Sequence, residues 1–279
     1  MLAGQCRIQA ALAMLDDRNQ TTYSTASIVR HYAQLNALQP AEKAILKLLQ
    51  QQSTSIKMLD IGVGGGRTTQ HFSKVASEYI GIDYSAGMIS ACKKRFALSS
   101  QNVEFAVCDA RDMSQFEDDS FDFILFSFNG IDYVSHQDRL KIFQEINRIG
   151  KHGGSFFFSS HNLQSLENEF NIRKQLSLNP LKTYVNLAMY LLLRLVNRPT
   201  NLAQIEAADR AIIRDESHNF RLKTYYIRPK EQIHQLSDWF ERCKVYSWKE
   251  EVEILNIQDL KTNSDMWLYY LCSIDKYRS

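Results

Sequence analysis

One stretch constrains this chain more than any other. The apolar run Met58-Leu59-Asp60-Ile61 ends in Gly62-Val63-Gly64-Gly65-Gly66-Arg67. A strand that breaks into glycines lets the backbone turn tightly and lets a ligand approach the main chain. A helix is expected to follow, adding free N–H groups and the positive end of its dipole. A dinucleotide site wants GxGxxG, and counting from Gly62 and Gly64 the third glycine position holds Arg67, so that pattern fails. A Walker-type phosphate loop fails too, because no Gly-Lys-Ser/Thr follows. What stands is acid-x-Gly-x-Gly-x-Gly, as Asp60, Gly62, Gly64 and Gly66.

Around this loop the pattern alternates between strands and helices. Strands are predicted at Lys57–Ile61, Glu78–Asp83, Val103–Cys108, Phe121–Phe126 and Ser155–Ser160. Between them, Met88, Ile89, Cys92 and Phe96 share a helical face, as do Ile142, Ile146 and Ile149, with Gly150 as a C-terminal cap. Such alternation implies a parallel sheet with helices on both faces. Residues 1–52 read as helical: Pro40 fits a first helical position, Glu42 the first turn, and Ile45, Leu48 and Leu49 repeat at helical spacing. Residues 162–218 carry helical patterns and no clear strand. Leu163, Leu166 and Phe170 form a stripe, and Tyr184 to Val196 is apolar nearly all round, which predicts a buried helix. The run is too short for a span of roughly 20 residues, and Arg194 interrupts it. A strand at Arg221–Ile227, a helix from Pro229 to Phe240 and two antiparallel strands at Val245–Ile254 and Met266–Ile274 complete the reading.

The second predicted strand ends at Asp83, placed to accept hydrogen bonds from two ribose hydroxyls. The third ends at Asp109-Ala110, where an acid can take an adenine exocyclic amine. With the glycine motif, Phe121-Asp122-Phe123-Ile124 and Gly153-Gly154, this order makes residues 53–160 resemble class I S-adenosylmethionine-dependent methyltransferases. One departure is His152, standing where the family's turn usually has proline. The resemblance implies a Rossmann-like α/β fold with a seven-stranded, mostly parallel sheet, N-terminal helices and a helical cap insertion. It divides the chain into an N-terminal helical segment (1–52), a cofactor-binding core (53–161 and 228–279) and a mostly helical cap that receives the acceptor (162–227). It implies S-adenosylmethionine as cofactor and S-adenosylhomocysteine as product. The expected cofactor contacts are Tyr32, Asp60, Gly62, Gly64, Gly66, Asp83, Tyr84, Met88, Asp109, Ala110, Phe126 and Asn129.

Composition narrows the setting. A net charge of +2 is too mild for a dedicated nucleic-acid binder. The segment Asn129-Gly130-Ile131-Asp132 lacks the proline-rich run of base-amine methyltransferases, so nucleic acid is not expected as a partner. The five cysteines, Cys6, Cys92, Cys108, Cys243 and Cys272, form no CxxC pair, which reads as a reduced, cytoplasmic protein without a zinc or other metal site. No signal peptide is read in the first twenty residues.

The acceptor is expected to be a small molecule held beyond the ends of the fourth and fifth strands. There His161 is the first candidate for a general base and His218 the second. Tyr23, Tyr133, Asn162 and Tyr226 are candidate acceptor contacts, and His31 stands with Tyr23 and Tyr32 among residues that could close over the cofactor. Oxygen is preferred to nitrogen because histidines flank the expected site. Two alternatives stand beside this: a membrane-surface enzyme acting on a lipid or quinone, and a protein that binds the cofactor without catalysis.

Overall fold

The structure is a computed structural model, and it describes residues 25–52, 54–98, 102–216 and 220–276. Two helices, α1 (Ala26–Gln34) and α2 (Pro40–Gln50), precede the sheet. α2 begins with Pro40 in its first turn, and the Glu42 carboxylate accepts the Gln39 N–H at 2.7 Å, satisfying a donor that would otherwise be orphaned. Five parallel strands follow: β1 (Lys57–Ile61), β2 (Glu78–Asp83), β3 (Val103–Val107), β4 (Phe121–Phe126) and β5 (Gly150–Asn162). They lie in the order β3-β2-β1-β4-β5. The crossovers are α3 (Thr69–Phe72), α4 (Ala86–Arg95) and α5 (His136–Ile149).

The segment expected to form the cap contains α6 (Leu163–Glu169), α7 (Pro180–Val196), α8 (Leu202–Ala207) and the antiparallel pair β6 (Arg210–Ile213) and β7 (Thr224–Ile227). The chain closes with α9 (Pro229–Ser237), β8 (Phe240–Ser247), α10 (Ile257–Thr262) and β9 (Trp267–Ile274). β9 runs antiparallel along β5 from Ser155 to His161, and β8 pairs with β9. The mostly parallel sheet of seven strands is therefore present, with β9 as its antiparallel member. β6 and β7 extend it. β4 stops pairing at Phe158, and β7 pairs with β5 just beyond, at His161 and Asn162.

Alternating side chains along the strands feed two cores. Leu59, Ile124, Phe156 and Phe158 pack with Ile142, Phe143 and Ile146 of α5 on one face. Met58, Phe123, Leu125 and Phe157 pack with Ile45 and Leu49 of α2 and Ile89 of α4 on the other. A third, smaller core joins Leu163, Leu166 and Phe170 to Leu193, Ile205, Ile213 and Tyr226, which fastens the cap to the sheet.

Four expectations are corrected. The helix after the glycine loop has only four residues, so its dipole is a minor source of positive field there. The cap is not free of strands before residue 218, since β6 lies at Arg210–Ile213. The strand expected at Val245–Ile254 starts at Phe240 and ends at Ser247, and the helix before it stops at Ser237. Finally, α7 is not buried. Leu193 is its one buried residue, and most of its leucines face solvent. Among the described residues no helix is long and apolar enough to cross a membrane.

Candidate functional site

A cavity opens at the carboxyl ends of β1 to β4. Its floor is the glycine loop, where Gly62, Gly64 and Gly66 all take positive φ, at 64°, 53° and 80°. Gly65 serves a different need. A Cβ there would run into the Ala33 and Tyr32 backbone, so its bareness lets α1 lie directly on the loop. Arg95 holds that contact by donating to the Ala33 and Gly65 carbonyls at 3.1 and 2.7 Å. Tyr32 thereby lines the cavity.

Three acids ring the loop. Asp60 is fully buried and accepts hydrogen bonds from the Thr68 and Tyr79 hydroxyls. Burial pushes its pKa up to about 6, against those hydrogen bonds. Asp83, at the end of β2, accepts the Gly64 N–H at 3.0 Å through one oxygen and the Ser85 N–H at 2.8 Å through the other. Burial raises its pKa, and the two N–H donors work the other way. A carboxylate oxygen has two lone pairs, so each keeps one for a ligand. Asp109 is gripped by Arg111, whose Nε lies 3.0 Å from both oxygens. Burial works to raise the Asp109 pKa, but the Arg111 hydrogen bonds and charge outweigh it and hold the carboxyl below its usual range.

The far wall comes from the end of β4. Phe128 and Asn129 both adopt left-handed backbone, with φ of 60° and 61°. Two consecutive non-glycine residues in that region store strain, of order 1–3 kcal/mol each, of the kind that gathers at functional sites. The Asn129 N–H donates to Ser159 Oγ at 2.8 Å, which pins the turn to β5. A 3-10 turn over Gly130–Tyr133 then brings Tyr133 to the cavity.

Behind this turn lies a buried polar chain. His161 Nδ1 is 2.8 Å from Asp132 Oδ2, and the His161 N–H donates to the same oxygen at 2.7 Å. The other Asp132 oxygen accepts from Arg139 at 2.6 Å and from Ser160 Oγ at 2.8 Å. With Nδ1–H committed to Asp132, Nε2 carries the lone pair and faces Asn129 Nδ2 at 3.4 Å. The Asn129 Oδ1 is buried and has no hydrogen-bond partner among the described residues.

Of the residues singled out from sequence, Tyr32, Asp60, Gly62, Gly64, Asp83, Tyr84, Met88, Asp109, Ala110, Phe126 and Tyr133 line the cavity together. Gly66, Asn129, His161, Asn162 and Tyr226 do not. A Cβ on Gly66 would strike the Phe96 ring, so that glycine serves packing. Asn162 caps α6 through the Gln164 N–H at 3.0 Å and ties to the Asn263 carbonyl at 3.1 Å. The Tyr226 hydroxyl donates to Asp215 at 2.8 Å, and its ring lies 5.0 Å from that of His161. His31 falls within α1. Tyr23 and His218 lie outside the described residues. Among the described residues no cluster of His, Cys, Asp and Glu is suited to a metal.

Sequence reasoning missed Arg67 as a site residue. Its guanidinium forms two 2.6 Å hydrogen bonds with the buried Glu42 carboxylate and lies 4.9 Å from the centre of the Phe128 ring. Tyr269 Oη also donates to Glu42, at 3.0 Å. The signal was present: the residue that breaks the dinucleotide spacing is a cation, and the first turn of α2 holds an acid.

These features fit an adenosyl group carrying an amino-acid tail. Asp83 has unused lone pairs for a ribose, Asp109 is held ionised beside Ala110, and the loop backbone is bare for close approach. Residues 58–154 match the family described as a methyltransferase domain. The Bacillus subtilis (strain 168) protein named "Uncharacterized methyltransferase YcgJ" is 34% identical over 109 residues, which are 38% of this chain and 40% of that protein. The Methylococcus capsulatus protein named "Ubiquinone biosynthesis O-methyltransferase" is 26% identical over 106 residues, 38% of this chain and 44% of that protein. Each match thus spans less than half of the relative's length. The crystal structure of an S-adenosylmethionine-dependent methyltransferase from Mesorhizobium loti superposes with a TM-score of 0.54 at 15% identity, over 84% of this chain and 97% of that one, which is a likeness of fold. Residues 58–154 are therefore a methyltransferase domain, set in a mostly parallel sheet of the Rossmann-like methyltransferase type.

Proposed function

We propose that the chain transfers a methyl group from S-adenosylmethionine to an oxygen, in preference to a nitrogen, of a small-molecule acceptor. The cofactor, when bound, supplies the activated methyl group together with its leaving group. The chain's own residues bind, align and shield. Asp83 holds the ribose hydroxyls, and Asp109 takes the exocyclic amine beside Ala110. Tyr32 and α1 cover the glycine loop and exclude water.

The observation that carries the oxygen preference is the Asp132–His161 pair. A hydroxyl acceptor gains from a base, and a base needs its lone pair aimed and its tautomer fixed. Asp132 accepts Nδ1–H at 2.8 Å and so directs the Nε2 lone pair toward Asn129 Nδ2 at 3.4 Å, a contact that an acceptor hydroxyl would have to replace before Nε2 takes its proton. Tyr133 is a contact on the cavity side, where the acceptor is expected to sit. The name of the Methylococcus relative, an O-methyltransferase, is consistent with an oxygen acceptor. A lipid or quinone acceptor is the second reading, favoured by the exposed apolar face of α7.

The first test is calorimetry with S-adenosylmethionine and S-adenosylhomocysteine on wild type and Asp83→Ala. Losing hydrogen bonds to a charged group should weaken binding about tenfold or more. The second follows S-adenosylhomocysteine release across panels of hydroxyl and amine acceptors. The expected result is turnover on hydroxyls that His161→Asn abolishes while cofactor affinity is kept. Full turnover by His161→Asn removes the base, and tight cofactor binding with no turnover on either panel favours the non-catalytic alternative.

A further inference from the structure

The helix α7 is built inside out for a protein surface. Its buried residue is Leu193, and on the opposite side stand Leu181, Tyr184, Val185, Leu191, Leu192 and Leu195, with relative exposures from 46% to 72%. Their spacing follows the helical i, i+3, i+4 and i+7 pattern, with Ala188 filling the remaining place, so they make one continuous stripe. A stripe of that kind normally faces a core, and this one faces outward.

Charge says what covers it. From Asn171 to Ile205 the sequence holds Arg173, Lys174, Lys182, Arg194 and Arg198 and no aspartate or glutamate, although the whole chain is only +2. Arg173 and Lys174 before the helix, Lys182 in its first turn and Arg198 just after it are exposed. We infer that α7 is a docking surface for an anionic bilayer, lying in the plane of the membrane with its leucines among the acyl chains and its cations at the headgroups. Its 17 residues and internal charges suit lying on a membrane and not crossing it. A two-fold dimer would bury the same stripe, but it would also set these cations against their own copies.

The inference is independent of the acceptor reading, because its readout is sedimentation and not turnover. The full chain is spun with vesicles of phosphatidylcholine alone and with vesicles containing about one third phosphatidylserine. Binding is expected to the anionic vesicles, to weaken as salt is raised, and to fall about tenfold or more in the Leu181→Glu, Leu192→Glu double variant. Cofactor affinity serves as the check that this variant is folded. The inference is overturned if folded wild type ignores anionic vesicles at low salt, or if the folded variant binds them as well as wild type. It is also overturned if light scattering finds a dimer that the variant dissociates, since a second copy would then cover the face.

Discussion

Asp60 shows how a single residue joins stability to ligand binding. Its carboxylate is ringed by Thr68 and Tyr79, and burial lifts its pKa to about 6. The folded state therefore binds more protons than the unfolded chain between its ordinary pKa near 4 and about 6. The stability it contributes is fully present below the lower value and is lost as pH rises through the upper one, a penalty of about 3 kcal/mol at neutral pH. Asp60→Asn keeps an oxygen for both hydroxyls and removes the charge. Urea midpoints measured from pH 4 to 8 should fall less steeply with rising pH in the variant than in wild type. Parallel curves would mean that Asp60 is ionised without cost. The same substitution should weaken the binding of S-adenosylmethionine, because a carboxylate lining the cavity is lost.

At the scale of elements, some of the fold was open to reading and some was hidden. β1, β2 and β4 occupy the predicted bounds because each is an apolar run bounded by turn residues. β8 was displaced because its register shifts between Glu241 and Lys244, where Arg242 takes a φ of 47°. A bulge of this kind breaks the period of two that a strand is recognised by. β6 is four residues long, too short to distinguish from a helical stretch by periodicity. The error over α7 has a different cause: composition shows that a helix is apolar but not whether a neighbour exists to bury it. Cavity-lining residues at the ends of predicted strands, such as Asp60 and Asp83, were legible, whereas Arg67 with Glu42, 25 positions apart, depended on how α2 docks. That pair supports a prediction about the element. Glu42 and Arg67 are both buried, and breaking such a pair by removing one charge typically costs about 3–5 kcal/mol. Glu42→Gln should lose stability on that scale in denaturant unfolding. Lys47→Ala, which breaks an exposed ion pair to Glu251, should lose less than about 1 kcal/mol. Equal losses would mean that α2 is held by its apolar face, through Ile45 and Leu49, and not by the buried pair.

Across the whole molecule, the two proposed surfaces sit on different parts of the sheet. The cavity draws on the ends of β1 to β4 and on α1, whereas the cap hangs from the end of β5 through β7 and the small core around Leu193 and Tyr226. Tyr226 is where they approach, because its ring meets His161 and its side chain belongs to the cap core. Membrane docking should therefore reach the acceptor side of the site and leave the cofactor side alone. With anionic vesicles present, S-adenosylmethionine affinity should stay within about twofold of its value in solution, since a ligand equally bound in both states shifts nothing. An apolar acceptor that partitions into the same vesicles should show a lower KM with kcat unchanged, because the membrane concentrates it without touching the transition state. A large change in cofactor affinity on docking would instead mean that α7 and the glycine loop are coupled through the sheet, and that the cap acts as a switch on the whole site.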